Sequence, residues 1–198
     1  MSVSRRHDEA VSKAISSVQL DPFSIAGNNT AAVYLARAGR FDEALLLNTK
    51  FNTLIPNEAR FHRFRSFIYA EKGEYSLAVK HYLLVMKASE DFKPENIPKL
   101  KDAFDKSGWD GFQRMRGSIN LEALQALQAK DPNGYVKAMD FAYVYAQGKY
   151  KDKAIEYLNK AYDERDERML DLSVDKSWDF VRDDPRFKAL VKKVGIPE

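Results

Sequence analysis

Two stretches of sequence decide the fold: residues 39–44 read Gly-Arg-Phe-Asp-Glu-Ala, and residues 73–78 read Gly-Glu-Tyr-Ser-Leu-Ala. The glycine, the aromatic residue and the alanine each return after 34 residues, and Ala10 stands 34 residues before the first of these alanines. Pro22 and Pro56 are separated by the same distance. A fixed period of this length predicts a repeat of paired helices, because each pair must stack on its neighbours to bury a core.

The apolar pattern around this repeat predicts a series of helices. Apolar residues recur every three or four positions over residues 8–19, 24–38 and 41–54, which is the spacing of an amphipathic α-helix. A further helical pair is expected within residues 57–88. The glycine that opens each quoted stretch supplies the turn inside a pair, since glycine adopts left-handed backbone conformations easily.

The second half of the chain is less regular. A helix is expected from the proline-containing residues 93–98 to about residue 107, followed by a break at residues 108–112 and a long helix that ends at residue 130. The Asp-Pro-Asn-Gly of residues 131–134 is a strong turn signal. In the last pair Gly148 comes one residue earlier than the repeat predicts, so its turn is expected to differ in shape.

The repeat resembles the tetratricopeptide repeat (TPR) family. The shared features are small residues at the eighth and twentieth positions, glycine at the fifteenth, an aromatic residue at the seventeenth and proline near the thirty-second. His62 and Arg65 depart from the pattern, because they stand where the family usually has tryptophan and leucine. The resemblance implies an all-α, right-handed solenoid of helical pairs.

The C-terminal part carries a more specific resemblance. Residues 157–166 and 178–197, and the Gly-Trp-Asp-Gly-Phe of 108–112, resemble the C-terminal TPR regions of bacterial winged-helix regulators, adenylate cyclases and serine/threonine kinases. Lys176 departs from this group, which often has proline there. The resemblance implies one TPR solenoid over residues 1–198, with regular repeats at 8–89, an irregular repeat at 90–131, a last repeat at 132–164 and a C-terminal cap at 165–198.

Elementary helix chemistry also predicts the capping helix. Asp184 is a good N-cap, Pro185 suits the first helical position, and Gly195 follows the last turn. Phe187 and Leu190 begin an apolar stripe that continues through two valines. Such a helix covers the last exposed face of a solenoid.

In the TPR family the first helix of each pair lines a concave groove. The resemblance places the following residues there: Asn29, Val33, Arg37, Arg60, Arg63, Phe67, Met139 and Tyr143, with Ala26, Glu71, Val136 and Gln147 at the remaining positions. Arginine pairs with carboxylates and aromatic residues anchor interfaces, so this predicts a partly basic groove for an acidic protein or peptide. The alternative is a solvated face without a ligand.

Composition excludes several other classes of function. The apolar fraction is 44%, the charged fraction is 31% and the net charge is only +3, so neither a membrane span nor nucleic-acid binding is indicated. The three histidines lack the spacing of a metal site, and no catalytic or phosphate-binding motif is present. We therefore expect a non-catalytic protein without metal or cofactor, located in the cytoplasm, with the periplasm as an alternative.

Three alternatives follow from particular residues. Val11, Ile15 and Val18 form an apolar face on the first helix that the repeat leaves without a partner helix. Two explanations are open. Either the chain is a piece of a larger bacterial regulator whose preceding part covers this face, or the face joins a second copy in a homodimer formed through the first helix. Trp109 and Phe112 in the irregular repeat suggest instead a pocket for a small molecule, which would make the chain a sensory domain of a larger signalling or transcription regulator.

Overall fold

The computed structural model describes residues 3–88, 93–130 and 135–195, and these contain nine α-helices and no β-strand. The predicted all-α class is confirmed. The helices are α1 (Val3–Leu20), α2 (Ile25–Arg37), α3 (Phe41–Leu54), α4 (Glu58–Lys72), α5 (Tyr75–Ala88), α6 (Asn96–Lys130), α7 (Ala138–Gln147), α8 (Lys151–Asp163) and α9 (Pro185–Val194). Two short 3₁₀ helices, Glu167–Asp171 and Lys176–Val181, precede α9.

The chain divides into two compact units, Met1–Pro98 and Lys99–Glu198. The first unit contains α1 to α5. Each of these helices packs against the next one along the chain, and α2 also contacts α4. Consecutive helices packed in neighbouring pairs are compatible with a helical repeat.

Side-chain caps and glycines set the helix ends of the first unit. The side chain of Ser24 accepts a hydrogen bond from the backbone N–H of Gly27 at 3.0 Å, and that of Asn57 accepts one from the N–H of Arg60 at 2.8 Å. Gly39 and Gly73 follow α2 and α4 with φ of 76° and 82°, the left-handed conformation that a side chain disfavours. The predicted turns inside both pairs are therefore confirmed.

Small residues allow the helices of the first unit to approach closely. Ala44 and Ala78, the alanines of the repeat, are both 0% exposed. The hydroxyl of Ser66 on α4 donates to the carbonyl oxygen of Ala78 on α5 at 2.8 Å, which joins the two helices at the point where the small residues meet. A larger residue at either alanine would have to displace the neighbouring helix.

The structure corrects the expectation that the apolar face of the first helix is uncovered. Val11 is 1% exposed and lies in one cluster with Leu35, Ala44 and Ile68, and Ile15 packs against this cluster. Leu20, at the end of the helix, is strongly exposed. A homodimer through Val11 and Ile15 would therefore need the first unit to open.

The second unit begins with a broken helix. Within α6, Ser107 and Gly108 leave the helical conformation, and Gly108 has φ 58° and ψ −150°. This confirms the predicted break. Gly111 lies immediately after it, where an added Cβ would stand 2.4 Å from the carbonyl oxygen of Ala103. Glycine is therefore required for the two halves of α6 to meet at this angle.

The core of the second unit joins α7, α8, both 3₁₀ helices and α9. Its fully buried side chains include Met139, Leu158, Leu172 and Trp178. Leu190 on α9 is 2% exposed in the same cluster, so the last helix covers α8 as predicted for a cap.

The ends of α9 match the sequence analysis. The Asp184 side chain accepts a hydrogen bond from the N–H of Arg186 at 2.9 Å, Pro185 is the first residue of the helix, and Gly195 follows it with φ 78°. The Arg186 guanidinium also pairs with Asp184 and holds the pKa of that carboxyl at about 2. The predicted turn at residues 131–134 and the chain end at 196–197 lie outside the described residues.

The turn between α7 and α8 differs from the other two, as expected. Gly148 has an ordinary φ of −78°, and the left-handed conformation falls instead on Lys149, with φ 60°. Lys149 stands five residues before Ala154, as Gly39 stands five before Ala44, so the geometry of the repeat is kept although the glycine is displaced.

We expect Lys149→Gly to be more stable than Lys149→Ala by about 1 kcal/mol, because the left-handed conformation strains any residue with a Cβ. The alanine variant is the matched control, since both variants remove the contact of the Lys149 ammonium with the Phe180 ring at 5.4 Å. Urea unfolding followed by circular dichroism measures the difference. Equal stabilities of the two variants would contradict the assigned turn.

Candidate functional site

Four residues at predicted groove positions lie on two helices that contact each other. Asn29 and Val33 are one turn apart on α2, and Arg63 and Phe67 are one turn apart on α4. Arg63 is exposed, and the other three are half-buried. We call this set the α2/α4 face. It combines a cation, an amide, an aliphatic side chain and an aromatic ring.

Arg60 has a different environment from the one predicted. Its guanidinium lies over the Phe51 ring, 4.5 Å from the ring centroid, and donates a hydrogen bond to the carbonyl oxygen of Ile55. Arg60 thus satisfies the carbonyl group of Ile55, the residue that follows α3, and fixes α4 against that helix. Arg60 is half-buried, and Arg63 is the exposed cation of the two. Arg37 is half-buried.

Other members of the basic and aromatic stretch at residues 60–67 also pack within the fold. The Arg65 guanidinium lies over the Phe61 ring at 4.6 Å and donates to the hydroxyl of Thr49 at 2.9 Å. Phe67 packs against the apolar cluster of the first unit. The alternation of charges and rings in this stretch therefore reflects two faces of one helix.

The sequence analysis missed a histidine pair between α4 and α5. The Nδ1 atoms of His62 and His81 are 2.9 Å apart, and the His81 ring stacks on Tyr69 with centroids 5.4 Å apart. One Nδ1 must carry a proton and the other must accept it, so the two neutral rings have opposite tautomers. Burial, together with the charges of His62, Arg65 and Lys80, lowers the pKa of His81 to about 4.

No group of three or more metal-ligating side chains occurs in residues 3–88, 93–130 and 135–195. His62 and His81 are adjacent, but the nearest carboxylate oxygen, from Glu58, is 3.9 Å from the other nitrogen of His62. The pair thus forms a hydrogen bond inside the first unit.

Of the four predicted groove residues in the second unit, Val136, Tyr143 and Gln147 are half-buried. Met139 is 0% exposed and belongs to the core, which corrects its assignment to the groove. Tyr143 is half-buried, donates its hydroxyl to Asp175 at 3.0 Å and packs against Trp178 with ring centroids 5.0 Å apart.

A cleft lies beside Tyr143, between the second half of α6 and α7. It has a volume of about 260 Å³ and is lined by Asn120, Ala123, Leu124, Asp140, Tyr143 and Val144. At one end Gly117 brings the helices together, since a Cβ there would lie 3.1 Å from the Val144 carbonyl oxygen. Sequence reasoning missed Asn120 and Asp140, because only the packing of α6 against α7 brings them together.

Trp109 and Phe112 pack against each other. Their rings stack at 5.3 Å with an interplanar angle of 20°, and Phe112 is 0% exposed. Phe112 therefore presents no surface to a ligand, whereas Trp109 is half-buried, and the small-molecule pocket at this pair stays a prediction.

No protein-family model, no curated protein and no solved structure matches this chain. Among the described helices, none combines the length and the apolar character that crossing a membrane requires.

Proposed function

We propose that this chain is a non-catalytic, protein-binding module of the TPR type, a right-handed solenoid that serves as the regulatory part of a larger bacterial protein in the cytoplasm. The α2/α4 face is its binding surface, and its partner is a protein segment that carries an acidic side chain next to an apolar one. The observation that supports this proposal is the exposed Arg63 one helical turn from the half-buried Phe67, on a helix that contacts α2.

The chemistry of the α2/α4 face favours an extended peptide. Arg63 can pair with a carboxylate through two parallel N–H groups. Phe67 and Val33 offer apolar surface beside it, and aromatic and arginine residues supply most of the energy at protein interfaces. The Oδ1 of Asn29 is buried and has no hydrogen-bond partner among the described residues, so this amide keeps an unused acceptor next to the proposed surface.

A charge reversal at Arg63 tests the proposal. Wild type and Arg63→Glu would be used to capture proteins from source-cell lysate, with mass spectrometry of the bound fraction. Arg63 is exposed, so the variant should fold, and we expect at least about a tenfold loss of the captured partner.

Lys50→Glu is the matched control, because it makes the same charge change at an exposed position on α3. It should capture the partner as the wild type does. Equal loss in both variants would indicate general charge attraction, and equal capture by all three proteins would move the binding surface away from Arg63.

A further inference from the structure

The cleft in the second unit offers an acceptor-rich chemistry that differs from that of the α2/α4 face. Asn120 and Leu124 line it from α6, and Asp140, Tyr143 and Val144 line it from α7. The combination suits a donor group on an apolar stem.

Asp140 and Asn120 each have a side-chain oxygen that accepts no hydrogen bond from the described residues. Asp140 uses Oδ1 to accept from the Arg168 guanidinium at 2.6 Å, and its Oδ2 has no hydrogen bond within the described part of the chain. The carboxylate side chain is 40% exposed. Asn120 donates through Nδ2 to the Gln147 side chain at 3.2 Å, and its Oδ1 accepts from no described residue.

Four carboxylates lie around α7. Asp140 and Asp166 both pair with Arg168, and Asp175 accepts from the Tyr143 hydroxyl. Glu164 accepts from the N–H of Ala138 at the start of α7, and Lys137 is a cation beside Asp166. The Asp140 carboxylate lines the cleft itself and attracts a positive group there.

Arg168 shows within the chain how Asp140 and Tyr143 bind a guanidinium group. Its guanidinium contacts the Asp140 carboxylate and lies 6.0 Å from the centroid of the Tyr143 ring, within the range of a cation–π contact. The two cleft residues therefore already hold one guanidinium in the folded chain.

We propose that this cleft is a second docking site, which takes a lysine or arginine side chain from a basic segment of a partner protein. Its volume of about 260 Å³ is below the 300–1,000 Å³ typical of pockets for drug-sized ligands, and suits one long side chain. The charged end pairs with Asp140 and Asn120, and the stem packs on Leu124 and Tyr143. This site stands on its own observations and does not depend on the α2/α4 face.

Nuclear magnetic resonance of the full ¹⁵N-labelled chain can test this site at the weak affinities that one side chain provides. The probes are capped five-residue peptides, Gly-Gly-Lys-Gly-Gly and Gly-Gly-Arg-Gly-Gly, with Gly-Gly-Glu-Gly-Gly and spermidine for comparison. We expect the basic peptides to shift the Asn120 side-chain amide and the backbone amides of Asp140 and Val144, and the acidic peptide to leave them unchanged.

Three variants separate the cleft from general attraction. Asp140→Asn should weaken binding of the basic peptides about fivefold, and Asn120→Asp should strengthen it about threefold by adding a carboxylate to the cleft lining from α6. Glu122→Gln removes an exposed charge from the same helix outside the cleft lining and should leave the affinity unchanged.

Asp140→Asn also removes an ion pair of Arg168. The higher affinity predicted for Asn120→Asp keeps the test decisive even if the loss of that ion pair disturbs the structure. The proposal is overturned if the cleft signals respond equally to the acidic peptide, respond to spermidine alone, or respond to none of the probes. It is also overturned if Glu122→Gln weakens binding as much as Asp140→Asn.

Discussion

Replacing Trp178 with alanine is expected to lower the free energy of unfolding by about 3–5 kcal/mol. The indole is fully buried, packs on Tyr143 and joins the core that α7, α8 and α9 share. Its removal leaves a large cavity at the place where the last helix is attached. Because natural domains are stable by only about 5–15 kcal/mol, this loss is a large part of the total.

Trp178→Phe is the matched control for this prediction. Phenylalanine keeps an aromatic ring against Tyr143 and removes an indole N–H that has no hydrogen-bond partner among the described residues. We therefore expect it to lose less than half as much stability as alanine. Urea unfolding followed by circular dichroism measures both, and a loss below about 1 kcal/mol for Trp178→Ala would place the residue outside the core.

Acidification from pH 7 to pH 4 is expected to destabilise the first unit through the His62–His81 pair. The folded structure lowers the pKa of His81 from 6.5 to about 4, because the ring is partly buried and faces His62, Arg65 and Lys80. The unfolded chain therefore takes up the proton first. The stability that neutral His81 provides is present above pH 6.5 and is lost as the pH falls towards 4.

Geometry explains why the His81 ring resists protonation. A proton on its Nδ1 removes the lone pair that can accept a hydrogen bond from the Nδ1 of His62, 2.9 Å away. The full pKa difference corresponds to about 3 kcal/mol, and solvent screening at this half-buried ring reduces the expected loss to about 1–2 kcal/mol.

Urea midpoints measured at pH 7, 6 and 5 and constant ionic strength give the size of this effect. His81→Gln is the control, because glutamine can hydrogen-bond to His62 without taking up a proton. The wild type should lose stability in this range and the variant should change much less. Parallel pH profiles for the two proteins would assign the dependence to other groups.

The sequence predicted the features that local chemistry determines. The bounds of α3, the cap at Asp184 and the left-handed glycines all depend on residues within a few positions of one another. The break in α6 was also predictable, since Gly108 carries its signal in the sequence.

Contacts between distant residues could not be predicted in this way. Arg60 was assigned to the groove from its position in the repeat, and that position does not reveal its contact with Phe51 of the preceding helix. Met139 was assigned to the groove for its position in the repeat, but in the second unit that position belongs to the buried core. Asp140 and Asn120, and likewise His62 and His81, are brought together only when the helices pack.

Photo-crosslinking tests the central claim, that the α2/α4 face binds the partner, most directly. Benzoylphenylalanine would be placed at Ala26, an exposed position of α2 in the predicted groove, and separately at Lys50, an exposed position of α3. After irradiation with the captured partner, we predict a crosslinked product from position 26 and none from position 50. A product from position 50 alone would contradict the account, because it would place the partner on the opposite layer of helices.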